Sequence, residues 1–221
     1  MKKLTLIYAM IGLGLIAFAS GKKDPDPYEL SFGGSLNAIV ESGTVNDEAM
    51  AAGFSSYGIH MQSSKFFKSS NWGLVCHVGG IFPYAVSVSD GDTTVTTDTS
   101  EFNSLFGITG IFGFPYYFIK NEIISLGIGP VANYVMLSAS TDTIAMLGYY
   151  FGAGLQLNSQ VRIADDWFLS TGAIALYDFY AYTTAWTATT TNSWGGRSNA
   201  IMWNPYIGIG YRIFNKNAEG Q

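Results

Sequence analysis

The chain has 221 residues, enough for one domain with a sizeable core. Only 12% of them are charged, against 48% hydrophobic and 15% aromatic, with 26 glycines; a soluble domain carries about 25% charged residues. A formal charge of −5 leaves no electrostatic basis for binding nucleic acid, the apolar content excludes disorder, and one cysteine, Cys76, excludes a disulfide scaffold.

The first element reads as an export signal over residues 1–19. Met1-Lys2-Lys3 is basic, Leu4 to Phe18 is apolar, and Ala17-Phe18-Ala19 has the small-x-small form of a cleavage site. Cleavage there removes Lys2 and Lys3 and takes the formal charge to −7. Residues 20–27 follow as a short segment expected in the periplasm.

From Tyr28 onward the side chains sort by parity, the period of a strand. Eight such segments occur in order: 28–40, 54–62, 72–88, 102–114, 124–136, 147–163, 167–181 and 201–213. In the sixth, Leu147, Tyr149, Phe151, Leu155 and Leu157 share one face, opposed by Gly148, Gly152, Gly154, Gln156 and Asn158. None of the apolar faces holds Asp, Glu, Lys or Arg. The charges within strands, Glu29, Arg162, Asp178 and Arg212, fall on the glycine-bearing face. A lipid-facing Arg or Lys costs about 2–4 kcal/mol at the bilayer midplane. A solvated outer face would be rich in Lys and Glu rather than Gly, Ser and Asn. The pattern therefore predicts an all-β fold: an eight-stranded antiparallel up-and-down transmembrane β-barrel over 28–214, greasy side out, with a tail at 215–221.

The connections predict two unlike ends. Ala164-Asp165-Asp166 reads as a tight turn, and 63–70 and 115–121 as modest ones. The polar stretches 41–53, 89–100, 138–143 and 183–199 read as loops at the other end. Trp72 and Trp167 open strands beside the turns, while Tyr84, Phe102, Phe179 and Trp203 lie toward the loops, as two interfacial belts require.

The last strand carries the nearest thing to a motif. Tyr206-x-Gly208-x-x-Tyr211-x-Ile213 resembles the assembly signal of small eight-stranded outer-membrane barrels of the OmpW, OmpX and OmpA type. Tyr206 stands where a more polar residue is commoner, and Phe214 is followed by seven further residues. The resemblance implies an outer-membrane location, both mature termini in the periplasm, and two partners, outer-membrane lipid and the barrel-assembly machinery. An OmpW-like protein implies passive uptake of small hydrophobic molecules with sideways release into the membrane. An OmpX-like protein implies a non-transporting scaffold whose surface loops bind host or cell-surface ligands.

Eight strands enclose a space that side chains nearly fill. Near the terminal end the inward positions hold Glu29, His60, Arg162 and Arg212, a candidate plug, and closure of the first strand on the last brings Glu29 toward Arg212. Toward the loops the inward positions are Ile81, Leu105, Ile111, Val135, Leu137, Met146, Tyr150, Leu176, Tyr180 and Met202. They form a candidate pocket for small hydrophobic molecules or simply a packed core. Gly107, Gly148 and Gly152 are read as leaving space among them. Pro83 and Pro130 cannot donate a ladder hydrogen bond and are candidate breaks in the wall. His60 and His77 are the only histidines and lack a convergent carboxylate, so no enzyme activity, cofactor or metal is expected.

Overall fold

The computed structural model describes residues 28–45, 48–67, 70–89 and 94–213. The expected signal, the segment 20–27 and the tail lie outside the described residues.

Ten strands build eight walls: β1 (Tyr28–Val45), β2 (Glu48–Phe66), β3 (Gly73–Ser89), β4 (Thr94–Asp98), β5 (Ser104–Gly113), β6 (Tyr116–Lys120), β7 (Ile124–Ser140), β8 (Ala145–Arg162), β9 (Trp167–Trp186) and β10 (Thr191–Ile213). Every neighbouring pair is antiparallel, and β1 pairs with β10 from Tyr28↔Ile213 to Glu41↔Ala200, which closes the barrel. Closure removes the open edges that a sheet of this length would otherwise present. The fourth wall is interrupted. β4 and β5 are joined by a single 3-10 turn at Thr99–Glu101, and β6 continues β5 beyond Pro115. The break at Pro115 is a bend, because Phe114 still donates its amide to the Pro130 carbonyl at 3.0 Å. The segment 115–121, read as a turn, is mostly strand β6; the Tyr117 amide bonds to the Asn71 carbonyl.

The polar stretches read as loops are largely zipped into hairpins. β1 and β2 stay in register to Val45↔Glu48, and β9 and β10 to Trp186↔Thr191. Threonine is β-branched and fits a strand, and pairs such as Thr184–Ser193 (3.0 Å) and Ser104–Ser140 (2.7 Å) tie hydroxyls across the ladder.

The large apolar groups face outward. Phe32, Ile59, Leu155, Ile207 and Ile209 are more than half exposed, while their odd-even partners are buried. Rings gather at two levels. Trp72 meets Tyr116 and Trp167 meets Tyr211 at the turn end; Tyr57 meets Tyr84 higher up. Cys76 is half-buried and unbonded.

Candidate lumen and lateral seam

At the turn end the register sets Glu29 opposite Arg212. Arg212 donates to Glu29 Oε1 through Nη2 at 2.7 Å and through Nε at 2.9 Å. Beside the pair, Gln62 donates to Ser64 (2.9 Å), Ser170 to Gln62 (3.3 Å) and Ser125 to Gln160 (3.0 Å). Three rings complete the floor: Phe66 lies 4.6 Å from Tyr117 between centroids, and Phe168 covers Gly210. Tyr117 fits only because Gly73 and Gly127 lack side chains; a Cβ on either would fall 2.7 or 2.8 Å from its ring.

Two members of the expected plug sit elsewhere. Arg162 ends β8 beside a tight turn, and its Nε donates to the carbonyls of Asp165 (2.7 Å) and Ala164 (3.4 Å), so the guanidinium binds the turn outside the lumen. His60 lies a full level above the floor. It packs edge-on to Tyr206, as His77 does, at 5.4 and 5.0 Å between centroids, so three rings meet across the axis. Among the described residues no group of three His, Cys, Asp or Glu stands close enough to hold a metal.

Above this level the lumen is packed. Ile81, Ile111, Val135, Leu176 and Met202 are buried in one cluster with Ile39, Val131, Ile174, Ala200 and Tyr206, and Leu137, Tyr150 and Phe54 pack against it. Leu105 is half-buried, and Met146 is exposed at the rim. Tyr180 is corrected. β8 pairs Phe151 with Tyr180 and then Gly152 with Asp178, so Phe179 is an extra residue that turns Tyr180 outward beside Phe151.

The expected apolar upper lumen also contains two carboxylates. Asp178 is fully buried and accepts from Asn133 at 2.7 Å. Glu41, read as a loop residue, accepts from Ser198 at 2.9 Å and from Tyr150 at 3.5 Å. The space read at the glycines is mostly taken. A Cβ on Gly152 would strike Asp178 and Asn133, and one on Gly107 would meet Leu137 at 2.6 Å. Only Gly148 has room, with Thr183 and Tyr150 at 3.6 Å.

Pro83 and Pro130 differ in what surrounds them. At Pro130 the wall is continuous. At Pro83 it is split. The β3–β5 ladder ends at Ile81↔Gly107, and the β3–β4 ladder starts again at Ala85↔Asp98. Residues 82–84 therefore face 99–106, a mismatch of five with no ladder between them. Pro83 offers no amide to bridge it. The inner edge of this seam touches the apolar cluster through Ile81 and Leu137.

The assembly-signal positions divide by face. Tyr206 and Gly208 point inward, and Tyr211 and Ile213 are exposed outside. Tyr206 is thus a lumen group, in line with a position that is more often polar.

No protein-family model and no curated protein sequence matches the chain. Solved structures do. The outer membrane protein OprG from Pseudomonas aeruginosa superposes with a TM-score of 0.57 at 10% identity, covering 86% of this chain and 96% of that one. The outer membrane protein AlkL, solved in DMPC lipid bilayers, gives 0.56 at 13% identity, covering 88% and 93%. The closed antiparallel wall, the inward polar layers and these superpositions together identify the fold as that of the small eight-stranded outer-membrane barrels.

Proposed function

We propose that the chain is an integral outer-membrane protein that takes small hydrophobic molecules at its hairpin end and releases them sideways into the membrane. The outer wall supports the location. Between Lys65 and Lys120 at the turn end and Arg197 at the hairpin end, its outward strand positions hold no Asp, Glu, Lys or Arg. Both described ends of the chain lie at the turn end, which this reading places in the periplasm. The floor of Glu29, Arg212, Phe66, Tyr117 and Phe168 opposes passage along the axis.

The seam between 82–84 and 99–106 carries the reading. There two neighbouring strands lack a ladder, and Ile81 of the buried apolar cluster, with Leu137 packed against it, stands beside the gap. Gly107, Leu137 and Gly148 form one inner row leading from that seam, since Leu137 pairs with both glycines. The test is uptake of 1-N-phenylnaphthylamine by cells with a lipopolysaccharide-bearing outer membrane that express the chain. Uptake rises above the empty-vector rate, and Gly148→Phe, which fills the one roomy inner position, lowers it several-fold with folding retained. Equal rates with and without the chain overturn the reading.

A second reading rests on the hairpin end itself. The β9–β10 hairpin is laddered to its tip and presents Trp186, and β4 presents Val95, 60% exposed. A rigid platform of this kind suits binding of host or cell-surface ligands. Loss of cell adhesion on cutting β9–β10 back to Tyr182 and Gly195, with uptake absent throughout, selects it.

A further inference from the structure

The outer wall carries an apolar groove of about 850 Å³. Its lining includes His60, Gly79 and Gly80 together with Phe32, Ile59, Ile108 and Met136. The register explains the depression. One row across the outer face runs Gly34, Ile59, Gly80, Ile108 and Met136, so large groups alternate with bare backbone. In the next row Gly110 faces Val78, and a Cβ on Gly110 would meet nothing within 4 Å. Phe106, a wall residue of the groove, also borders the lateral seam.

We propose that this groove holds an acyl chain of a surrounding membrane lipid as a fixed site, distinct from the ordinary lipid-covered wall. The inference rests on the reading that the barrel sits in a bilayer, and it does not depend on transport. Ile59, Phe32 and Phe106 of its lining are exposed at 64%, 59% and 42%, so its occupant comes from the hydrocarbon phase. Shape decides among hydrocarbon-phase partners. The groove crosses β1, β2, β3, β5, β7 and β8 and so follows the curve of the barrel. A transmembrane helix is a rod about 10 Å across and cannot follow that curve. A second copy meeting through the same face would set one hollow against another, and a two-fold contact needs a self-complementary surface. An acyl chain bends at every single bond and fills a curved slot lined by Ile, Met and Phe.

The test uses the whole barrel in phosphatidylethanolamine–phosphatidylglycerol vesicles containing a phospholipid with a diazirine on its acyl chain. After illumination, labelled residues are located by mass spectrometry. Labelling is expected to concentrate several-fold on Ile59, 64% exposed, over Ile207 and Ile209, 58% and 53% exposed on β10, and to reach the half-buried Ile108. Gly110→Phe, whose Cβ enters open space beside Val78, and Gly80→Leu, whose Cβ meets the exposed Phe82 ring at 3.3 Å and Ile59 at 3.7 Å, each erase that excess. Even labelling around the wall overturns the fixed site and leaves the membrane reading intact. No labelling on either wall overturns both. Chain-to-chain cross-links through the groove assign it to a second copy and overturn the proposal.

Discussion

Glu29 shows how much one side chain in this barrel depends on another. Its carboxylate is held in the floor by two donors from Arg212, whose own side chain keeps 23% of its surface exposed. Removing one partner of a buried pair leaves an uncompensated charge and costs about 3–5 kcal/mol, and Arg212's partial exposure places this pair at the lower end. Arg212→Ala should therefore lower the urea midpoint of the vesicle-inserted barrel more than the double variant Glu29→Gln/Arg212→Gln does. Equal losses would mean that the pair is screened by water. This contact follows from sequence parity plus closure of the first strand on the last. Arg162 has the same parity but a different fate, because a long side chain at a strand's final residue reaches the carbonyls of the adjoining turn. Parity gives the direction of Cβ and says nothing about where a flexible head group ends. Tyr180 failed for a different reason. A bulge adds a residue without changing composition, and in the run Phe179-Tyr180-Ala181-Tyr182 aromatics occupy both parities, so no sequence signal marks the flip.

Among the elements, the divided fourth wall is the least regular and the least legible. Residues 99–106 contain Phe102 and Phe106 at strand spacing, yet Thr99–Glu101 closes a single 3-10 turn and Phe102 donates back to Thr99 at 3.2 Å. The sequence supplies one cue to the split, Pro83, and supplies the same cue at Pro130, where the wall is whole. The difference lies in the partner strand. Phe114 supplies the amide that meets Pro130's carbonyl, whereas opposite Pro83 the chain has five residues too many. An unladdered amide exchanges through small local openings. Those amides among 82, 84 and 104–106 that point to the seam rather than to β2 or β7 should therefore exchange with deuterium far faster than those of 153–157 in the β8–β9 ladder. Equal protection would mean that the seam is closed by other bonds. The hairpin extensions differ from the sequence expectation for an opposite reason. Their Thr and Ser content looks like loop, but a strand that continues outside the apolar belt has only to satisfy its backbone, and polar β-branched residues do so in water.

For the molecule as a whole, the two aromatic levels set how the proposed membrane barrel would sit in a bilayer. Along β10, Trp203 and Tyr211 are nine residues apart inclusive, and a tilted strand needs about 9–11 residues to cross the hydrocarbon. On β9 the interval from Trp167 to Tyr177 is similar. The barrel between those rings is the spanning part, and residues 191–200 of β10 stand beyond it with their partners on β9. This division assigns insertion to the lower segment alone. Its outward faces supply the contact with hydrocarbon, and its interior supplies the floor and the buried cluster. The projecting hairpin contributes backbone ladders in water, which add little once the barrel is closed. Cutting β9–β10 back to Tyr182 and Gly195 should therefore leave the heat-dependent gel mobility of the folded barrel unchanged. Deleting Ile207 and Gly208 together keeps parity but shortens the span by about 7 Å. It also removes Gly208, which faces Gly33 across the closing ladder, and should abolish the folded band. If the hairpin truncation abolished that band instead, closure of β1 on β10 would have to begin from the hairpin end, and the spanning segment would not be the unit that folds.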